Sequence, residues 1–215
     1  MRESLNVRLE EIHKAMSEMT DLVEASIDVA MQAFVEMNLD KATNVIDGDL
    51  RINAYEQKIE NMCAELTATQ SPVGGDLRHV ITVLKVVTDL ERVGDYSCNI
   101  AQAILDLHPL EPKKHNKALV LLADMVREML IGSMEAYFNQ NVTLAYEIAG
   151  RDEVVDTHYK NLYKTLILQS GDEEEALNAT IGLILIGRYL ERIADHATNI
   201  CERVIYMRTG KTVKF

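Results

Sequence analysis

Apolar residues recur every three or four positions along nearly all of this 215-residue chain. The spacing predicts six amphipathic helices, at about 5–36, 40–69, 76–108, 114–138, 142–169 and 173–208. The two most regular apolar stripes lie on the third and sixth helices, where we expect the seams of a helical bundle. They consist of Val83, Val86, Leu90, Val93, Ile100 and Ile104, and of Leu183, Ile186, Leu190, Ile193, Ala197, Ile200 and Val204. No alternating pattern supports a strand, so the predicted fold is all-α.

Short polar segments separate these helices. NLD at 38–40 and NQN at 139–141 indicate tight turns, and QSPVGGD at 70–76 indicates a longer loop. HPLEP at 108–112 contains two prolines, which end the third helix and divide the chain in half. SGDEEE at 170–175 places acids in the first turn of the sixth helix, where the helix dipole favours them.

The two halves of the chain repeat one another. AFVEMNLDKATNVIDGD at 33–49 aligns with AYFNQNVTLAYEIAGRD at 136–152, and DLERVGDYSCNIA at 89–101 aligns with YLERIADHATNIC at 189–201. In the second pair six of thirteen positions are identical. A period this long indicates duplication of a three-helix unit. The chain is therefore predicted to form two tandem, related three-helix bundles, over residues 1–110 and 113–215.

Composition narrows the functional classes. The net charge of −12 disfavours nucleic acid as a partner. The three cysteines form no CxxC pair, which indicates neither a disulfide framework nor a thiolate zinc site. The N-terminus lacks the apolar segment of a signal peptide, and the longest apolar run, IGLILIG at 181–187, is too short to span a bilayer. We expect a cytoplasmic protein that meets a membrane only through its partners.

Repeated acids mark the third helix of each half. A spacing of four residues places two carboxylates on one helix face, beside the apolar seam. The second helix of each half adds further acids, which approach those of the third if the two helices pack antiparallel. The candidate residues are Glu91 and Asp95, Glu191 and Asp195, Asp152 and Asp156, and Asp49, whose partner four residues later is Asn53. That asparagine is expected to make the first site poorer in charge.

Carboxylates so close together repel and require a compensating cation. One interpretation is local neutralisation by Arg92, Arg192, Lys85 and Arg188. The other is a hard metal ion, since carboxylate oxygens without thiolates suit Mg, Mn or Fe, and also Zn. A lone acidic pair would favour the first interpretation, but the retention of Glu, Arg, Asp and Asn in both repeats favours the second. The position at the seam edge predicts shallow, solvent-open sites.

The chain resembles the PhoU family of accessory and regulatory proteins of bacterial phosphate uptake. The resemblance rests on the duplication, on SPVGGDLR before the third helix, on LERVGD and LERIAD, and on NICERVIYMRTG at 199–210. It implies a homodimer of six-helix subunits with multinuclear clusters of iron or zinc, or of manganese or magnesium, on the acidic residues given above. It further implies a non-enzymatic regulator that links the ATPase of the phosphate ABC transporter to a sensor histidine kinase and represses phosphate-starvation genes.

Two alternatives remain from the sequence. A di-iron carboxylate enzyme needs two ExxH pairs on inward faces and two further glutamates, whereas the chain offers only Glu10 with His13 and, as DxxH, Asp76 with His79. A purely structural helical adaptor would use its acids in ion pairs alone.

His196 has no histidine counterpart at Tyr96 and is expected to lie on the surface.

Overall fold

Helices account for nearly all of the computed structural model, which describes residues 2–108, 116–171 and 173–215. They are α1 (Arg2–Glu36), α2 (Leu39–Gln70), α3 (Gly75–Leu107), α4 (Asn116–Phe138), α5 (Val142–Ala149), α6 (Asp152–Leu168) and α7 (Glu174–Thr209). The described residues contain no strand, which confirms the all-α prediction. The prolines of HPLEP, the predicted helix start at 114, the boundary between the predicted repeats and Asp172 lie outside the described residues.

The first turn of each half has the same structure. Asn38 and Asn141 cap the helices that follow, and each side-chain oxygen accepts a hydrogen bond from the backbone N–H three residues later, at 3.0 and 3.1 Å. The residues before them, Met37 and Gln140, adopt left-handed backbone conformations with φ of 51° and 50°. The duplication therefore extends to the backbone of this turn.

The helix predicted over 142–169 is interrupted near its first third. At Arg151 the backbone N–H bonds to the carbonyl of Ile148 at 3.0 Å, three residues back instead of four. Gly150, a weak helix former, lies directly before this tightened turn. The prediction of one continuous helix is therefore wrong at this turn, and α6 begins afresh at Asp152, one of the candidate site residues.

The bundle is built on α3 and α7. Every residue of the two predicted apolar stripes is buried, which confirms that these stripes are the seams. The buried side chains of both halves join in one continuous hydrophobic core. Within the described ranges, no helix combines the length and apolarity that a membrane crossing requires.

Two contacts between α3 and α7 involve equivalent positions of the two repeats. Positions 89 and 189 are equivalent, as are 96 and 196. The ring of Tyr96 stacks on that of Tyr189 with centroids 6.0 Å apart, and Nδ1 of His196 lies 2.8 Å from Oδ1 of Asp89. The expectation that His196 lies on the surface is wrong, because its side chain is only 18% exposed and is held against the buried carboxylate.

Candidate metal centre

The first acidic cluster lies between α2 and α3. It comprises Asp49, Asn53 and Glu56 of α2 and Glu91 and Asp95 of α3. The carboxylates of Asp49, Glu56 and Asp95 lie near enough to Glu91 to raise its pKa. The structure thus brings the predicted acids of the two helices together, as expected for neighbouring helices of one repeat.

Close approach of the two helices positions this cluster. A Cβ atom placed on Gly94 of α3 would lie 3.0 Å from Cδ1 of Ile52 and 3.7 Å from Oδ1 of Asp49. A side chain at Gly94 would therefore push α2 away from α3. In the second half the equivalent position is occupied by the buried Ala194, so it carries a methyl group there.

The second acidic cluster lies between α6 and α7. It comprises Asp152 and Asp156 of α6 and Glu191 and Asp195 of α7. Asp195 and Asp156 both raise the pKa of Asp152, and the same two carboxylates raise that of Glu191. All four predicted acids of the second half are therefore brought together.

Each cluster has a deep glutamate and a shallow aspartate. The side chains of Glu91 and Glu191 are 15% and 11% exposed, whereas those of Asp95 and Asp195 are 36% and 37% exposed. One helical turn along the seam edge produces this gradient in both halves. The clusters are consequently open to solvent at the aspartate end, as predicted from the sequence.

Burial and repulsion from neighbouring carboxylates disfavour the ionised forms of Glu91 and Glu191. Burial is the main cause that raises the pKa of Glu91, and the charge of Asp95 is the next. The same two causes, burial and then Asp195, raise the pKa of Glu191. A bound cation would relieve both effects, because it replaces the lost solvation and screens the neighbouring carboxylate.

Cationic side chains already neutralise part of each cluster. In the first, Arg92 donates from NH1 to Oδ2 of Asp95 at 2.8 Å, and its Nε lies 3.4 Å from Oε2 of Glu91. In the second, the pairs are Arg192 with Asp195 at 3.1 Å, Lys160 with Asp156 at 2.7 Å, and Arg188 with Glu191. The three arginines that the sequence offered as local partners make these contacts, whereas Lys85 forms no salt bridge with these acids among the described residues.

Several oxygen atoms of the clusters are buried without a hydrogen bond. Oδ1 of Asp49, Oδ1 of Asn53 and Oε2 of Glu191 accept none from the described residues, although Asn53 donates to the other oxygen of Asp49 at 2.8 Å. Buried oxygens of this kind fit the coordination preferences of a hard cation. In the observed rotamers, however, no three His, Cys, Asp or Glu side chains of the described ranges converge as a ready ligand set. A metal at either cluster would therefore need the acidic side chains to adopt other rotamers.

Two residues of the clusters were missed by sequence reasoning. Glu56 adds a carboxylate to the first cluster at a position where the second repeat has Tyr159, and Lys160 adds a cation to the second. Glu56 thus compensates for the neutral Asn53, which the sequence predicted to make the first site poorer in charge. Among the described contacts, one cation faces four carboxylates in the first cluster, and three cations face four in the second.

The remaining candidate chemistry is limited. The ligands expected for a di-iron enzyme are only partly assembled: His13 and His79 meet, but no further His, Cys, Asp or Glu of the described residues completes a set with them. Cys98 packs in α3, with its thiol 3.7 Å from the carbonyl of Val45. Burial raises its pKa to about 12, so it is not poised as a nucleophile.

A family model and several relatives match nearly the whole length of this chain. The family model of the PhoU domain matches residues 16–104 and again 119–204. A phosphate-specific transport system accessory protein PhoU homolog of Clostridium acetobutylicum is 35% identical over 206 residues, which cover 95% of this chain and 94% of the relative. A homolog of Streptococcus pneumoniae with the same description is 34% identical over 214 residues, covering 99% of each chain.

Two solved structures have the same architecture. The crystal structure of the phosphate transport system regulatory protein PhoU from Streptococcus pneumoniae matches with a TM-score of 0.91 and 31% identity, over 98% of this chain and 100% of that one. The crystal structure of PhoU from Pseudomonas aeruginosa matches with a TM-score of 0.92 and 30% identity, over 96% and 99%. With its duplicated three-helix units matched over nearly their full length, the chain belongs to the PhoU family.

Proposed function

We propose that this protein is a non-enzymatic accessory regulator of phosphate transport. It links the ATPase of a phosphate ABC transporter to a sensor histidine kinase, and represses phosphate uptake and the phosphate-starvation response when phosphate is plentiful. The observation that supports this most strongly is the match to relatives named as accessory proteins of phosphate-specific transport, which spans 95% of this chain and 94% of the relative in one case. The proposal places the protein in the cytoplasm as a homodimer.

The proposal includes metal binding at the two acidic clusters, by iron or zinc or, failing these, by manganese or magnesium. Asp49, Glu91 and Asp95 would hold it in the first cluster, where Asn53 and Glu56 offer further oxygens. In the second cluster the ligands would be Asp152, Asp156, Glu191 and Asp195. A bound ion supplies the positive charge that the buried, unpartnered oxygens lack. The clusters would then serve the regulator as structural or sensory elements on its surface.

Gene replacement tests the regulatory proposal. Deleting the gene in its native host should derepress phosphate-starvation genes in phosphate-rich medium, because the signal from transporter to kinase is interrupted. Expression of a reporter driven by a phosphate-starvation promoter measures this. The wild-type gene should restore repression. The variant Asp124→Asn/Glu128→Gln should do so as well, because it removes an exposed acidic pair of α4 that has the same four-residue spacing but lies outside the clusters.

The reporter also has an outcome that contradicts the proposal. If expression in phosphate-rich medium is unchanged after every family copy in that genome has been deleted, the protein does not repress these genes. Failure of the wild-type gene to restore repression would attribute the phenotype to another locus.

Metal content tests the clusters directly. We expect wild-type protein to retain metal through gel filtration, and Glu91→Gln/Asp95→Asn and Glu191→Gln/Asp195→Asn each to lose part of it, because each variant removes two carboxylates from one cluster. The loss of affinity should be greater at the first cluster, where fewer cations compete. Elemental analysis of protein dialysed against equal free metal measures this, with Asp124→Asn/Glu128→Gln as the matched control.

The ion pairs support a second candidate, a structural adaptor that binds no metal. Arg92, Arg188 and Arg192 already contact the acids that a metal would bind, and they compensate part of the negative charge of the clusters without an ion. Equal and near-zero metal in wild type and in both cluster variants would favour this candidate. It would leave the regulatory proposal intact.

A further inference from the structure

Two histidines from distant parts of the sequence face each other across the α1–α3 contact. Nε2 of His13 lies 2.8 Å from Nε2 of His79, and the ring centroids are 4.9 Å apart. Tyr137 and Phe138, at the end of α4, pack edge-on against the ring of His13. The pair is therefore held at a junction of three helices, and one of these helices belongs to the second repeat.

At this distance the two rings share a single proton. One Nε2 donates an N–H and the other accepts it with its lone pair, because two N–H groups could not face each other at 2.8 Å. Burial lowers the pKa of both histidines, in His79 to about 4. Both imidazoles are consequently neutral near pH 7, which is the form that binds metal ions.

The geometry is close to that of a two-histidine metal site. Tetrahedral zinc with Zn–N bonds of about 2.0–2.1 Å places two nitrogen ligands about 3.3 Å apart. Reaching that separation from 2.8 Å takes a shift of about half an ångström, which small side-chain rotations provide. The donor ring must also change tautomer, so that its proton leaves Nε2 and solvent returns one to Nδ1, which keeps both rings neutral and leaves two converging Nε2 lone pairs.

A carboxylate accompanies each histidine. Glu10 stands three residues before His13, and Asp76 stands three residues before His79, a spacing that places each pair on one helix face. Each acid lies near enough to raise the pKa of its histidine, against the larger effect of burial. The two (Glu/Asp)-x-x-His segments, unrelated by the repeat, thus meet in the folded chain.

We propose that His13 and His79 form a binding site for a divalent cation of the zinc class, which bridges α1 and α3 through their Nε2 atoms. In the observed rotamers no third His, Cys, Asp or Glu side chain of the described ranges is in place. The remaining coordination positions are filled by water and by Glu10 and Asp76 after a rotamer change. Imidazole ligands suit Zn²⁺, Ni²⁺ and Cu²⁺. The site is separate from the acidic clusters, since His79 precedes Glu91 by twelve residues, or about 18 Å of helix.

Zinc affinity in matched variants tests the site. Titration of the metal-free full chain with ZnCl₂ alone, followed by calorimetry, should show tight binding in wild type and in His158→Gln, which replaces an exposed histidine of α6. His13→Gln and His79→Gln should each weaken one binding event at least tenfold, because even the loss of an outer-shell partner typically costs 10- to 100-fold. Zinc at the acidic clusters would contribute equally in all four proteins.

A spectroscopic measurement on unaltered protein guards against misfolded variants. One equivalent of Cu²⁺ should give an electron paramagnetic resonance spectrum with coupling to two nitrogens, as expected for two imidazole ligands. Zinc affinity that is equal in all four proteins, or the absence of nitrogen coupling in wild type, would overturn the proposal. The histidine pair would then be only a hydrogen bond.

Discussion

Phe34→Ala is expected to lower the free energy of unfolding by about 3–5 kcal/mol, because it empties the space of a fully buried ring at the end of α1. A loss of this size is a large part of the stability of a typical domain, about 5–15 kcal/mol. Urea unfolding followed by circular dichroism measures it. Phe34→Leu, which keeps most of the volume, should lose much less.

Tyr137, the equivalent of Phe34 in the second repeat, provides the opposite test. Its ring is equally buried, but its hydroxyl has no hydrogen-bond partner among the described residues. Tyr137→Phe should therefore be neutral or raise the free energy of unfolding by about 1 kcal/mol, since it removes an unsatisfied buried group. A loss above about 1 kcal/mol in Tyr137→Phe would show that the hydroxyl is hydrogen-bonded after all. A loss of only about 1 kcal/mol in Phe34→Ala would show that the core relaxes around the cavity.

Acid should destabilise the metal-free protein through His79. Folding lowers the pKa of this histidine from 6.5 to about 4. Between these two pH values the unfolded chain binds a proton at His79, whereas the folded chain does not. The resulting stability is complete above 6.5 and is lost as the pH falls toward 4. At about 1.36 kcal/mol per pKa unit, discounted because the ring is only half-buried, the loss between pH 7 and pH 4.5 is about 2 kcal/mol.

Comparing variants separates the effect of His79 on the pH dependence of stability from the effects of acidic groups, which have the opposite sign. The raised pKa values of Glu91, Glu191 and Asp152 favour the folded state as the pH falls, because protonation removes the cost of burying the charge and then the repulsion from neighbouring carboxylates. The pH dependence of wild type must therefore be compared with that of His79→Gln, measured by urea unfolding with chelator present. The variant should lose about 2 kcal/mol less on acidification, and His158→Gln should match wild type. Equal slopes in His79→Gln and wild type would refute the linkage.

The helices and their seams follow from local patterns. Leu90 and Leu190, with the apolar residues three or four positions away, define a stripe that only a helix can bury on one side. Asn38 and Asn141 mark helix starts for a similar reason, because their side chains satisfy a free backbone N–H. Such features depend on residues within one or two turns and are readable without a structure.

The site was only partly predictable because it depends on the rotation of one helix against another. The repeat identified Glu91, Asp95 and their equivalents, since both copies retained them. Glu56 breaks the repeat and so gave no such signal, although it faces the same cluster. His13 and His79 were each visible in a short motif with an acid three residues earlier, but their contact joins residues 66 positions apart. No periodicity within a single helix encodes a contact of this kind.

Which halves can associate is also governed by the Tyr96–Tyr189 and His196–Asp89 contacts between α3 and α7. Two copies of the first half, docked in the same way, would set Asp89 against Tyr96 twice, and two copies of the second would set Tyr189 against His196 twice. Only the mixed pairing joins the acid to the imidazole and ring to ring. The two halves are therefore complementary at this contact, and each presents side chains that the other half lacks.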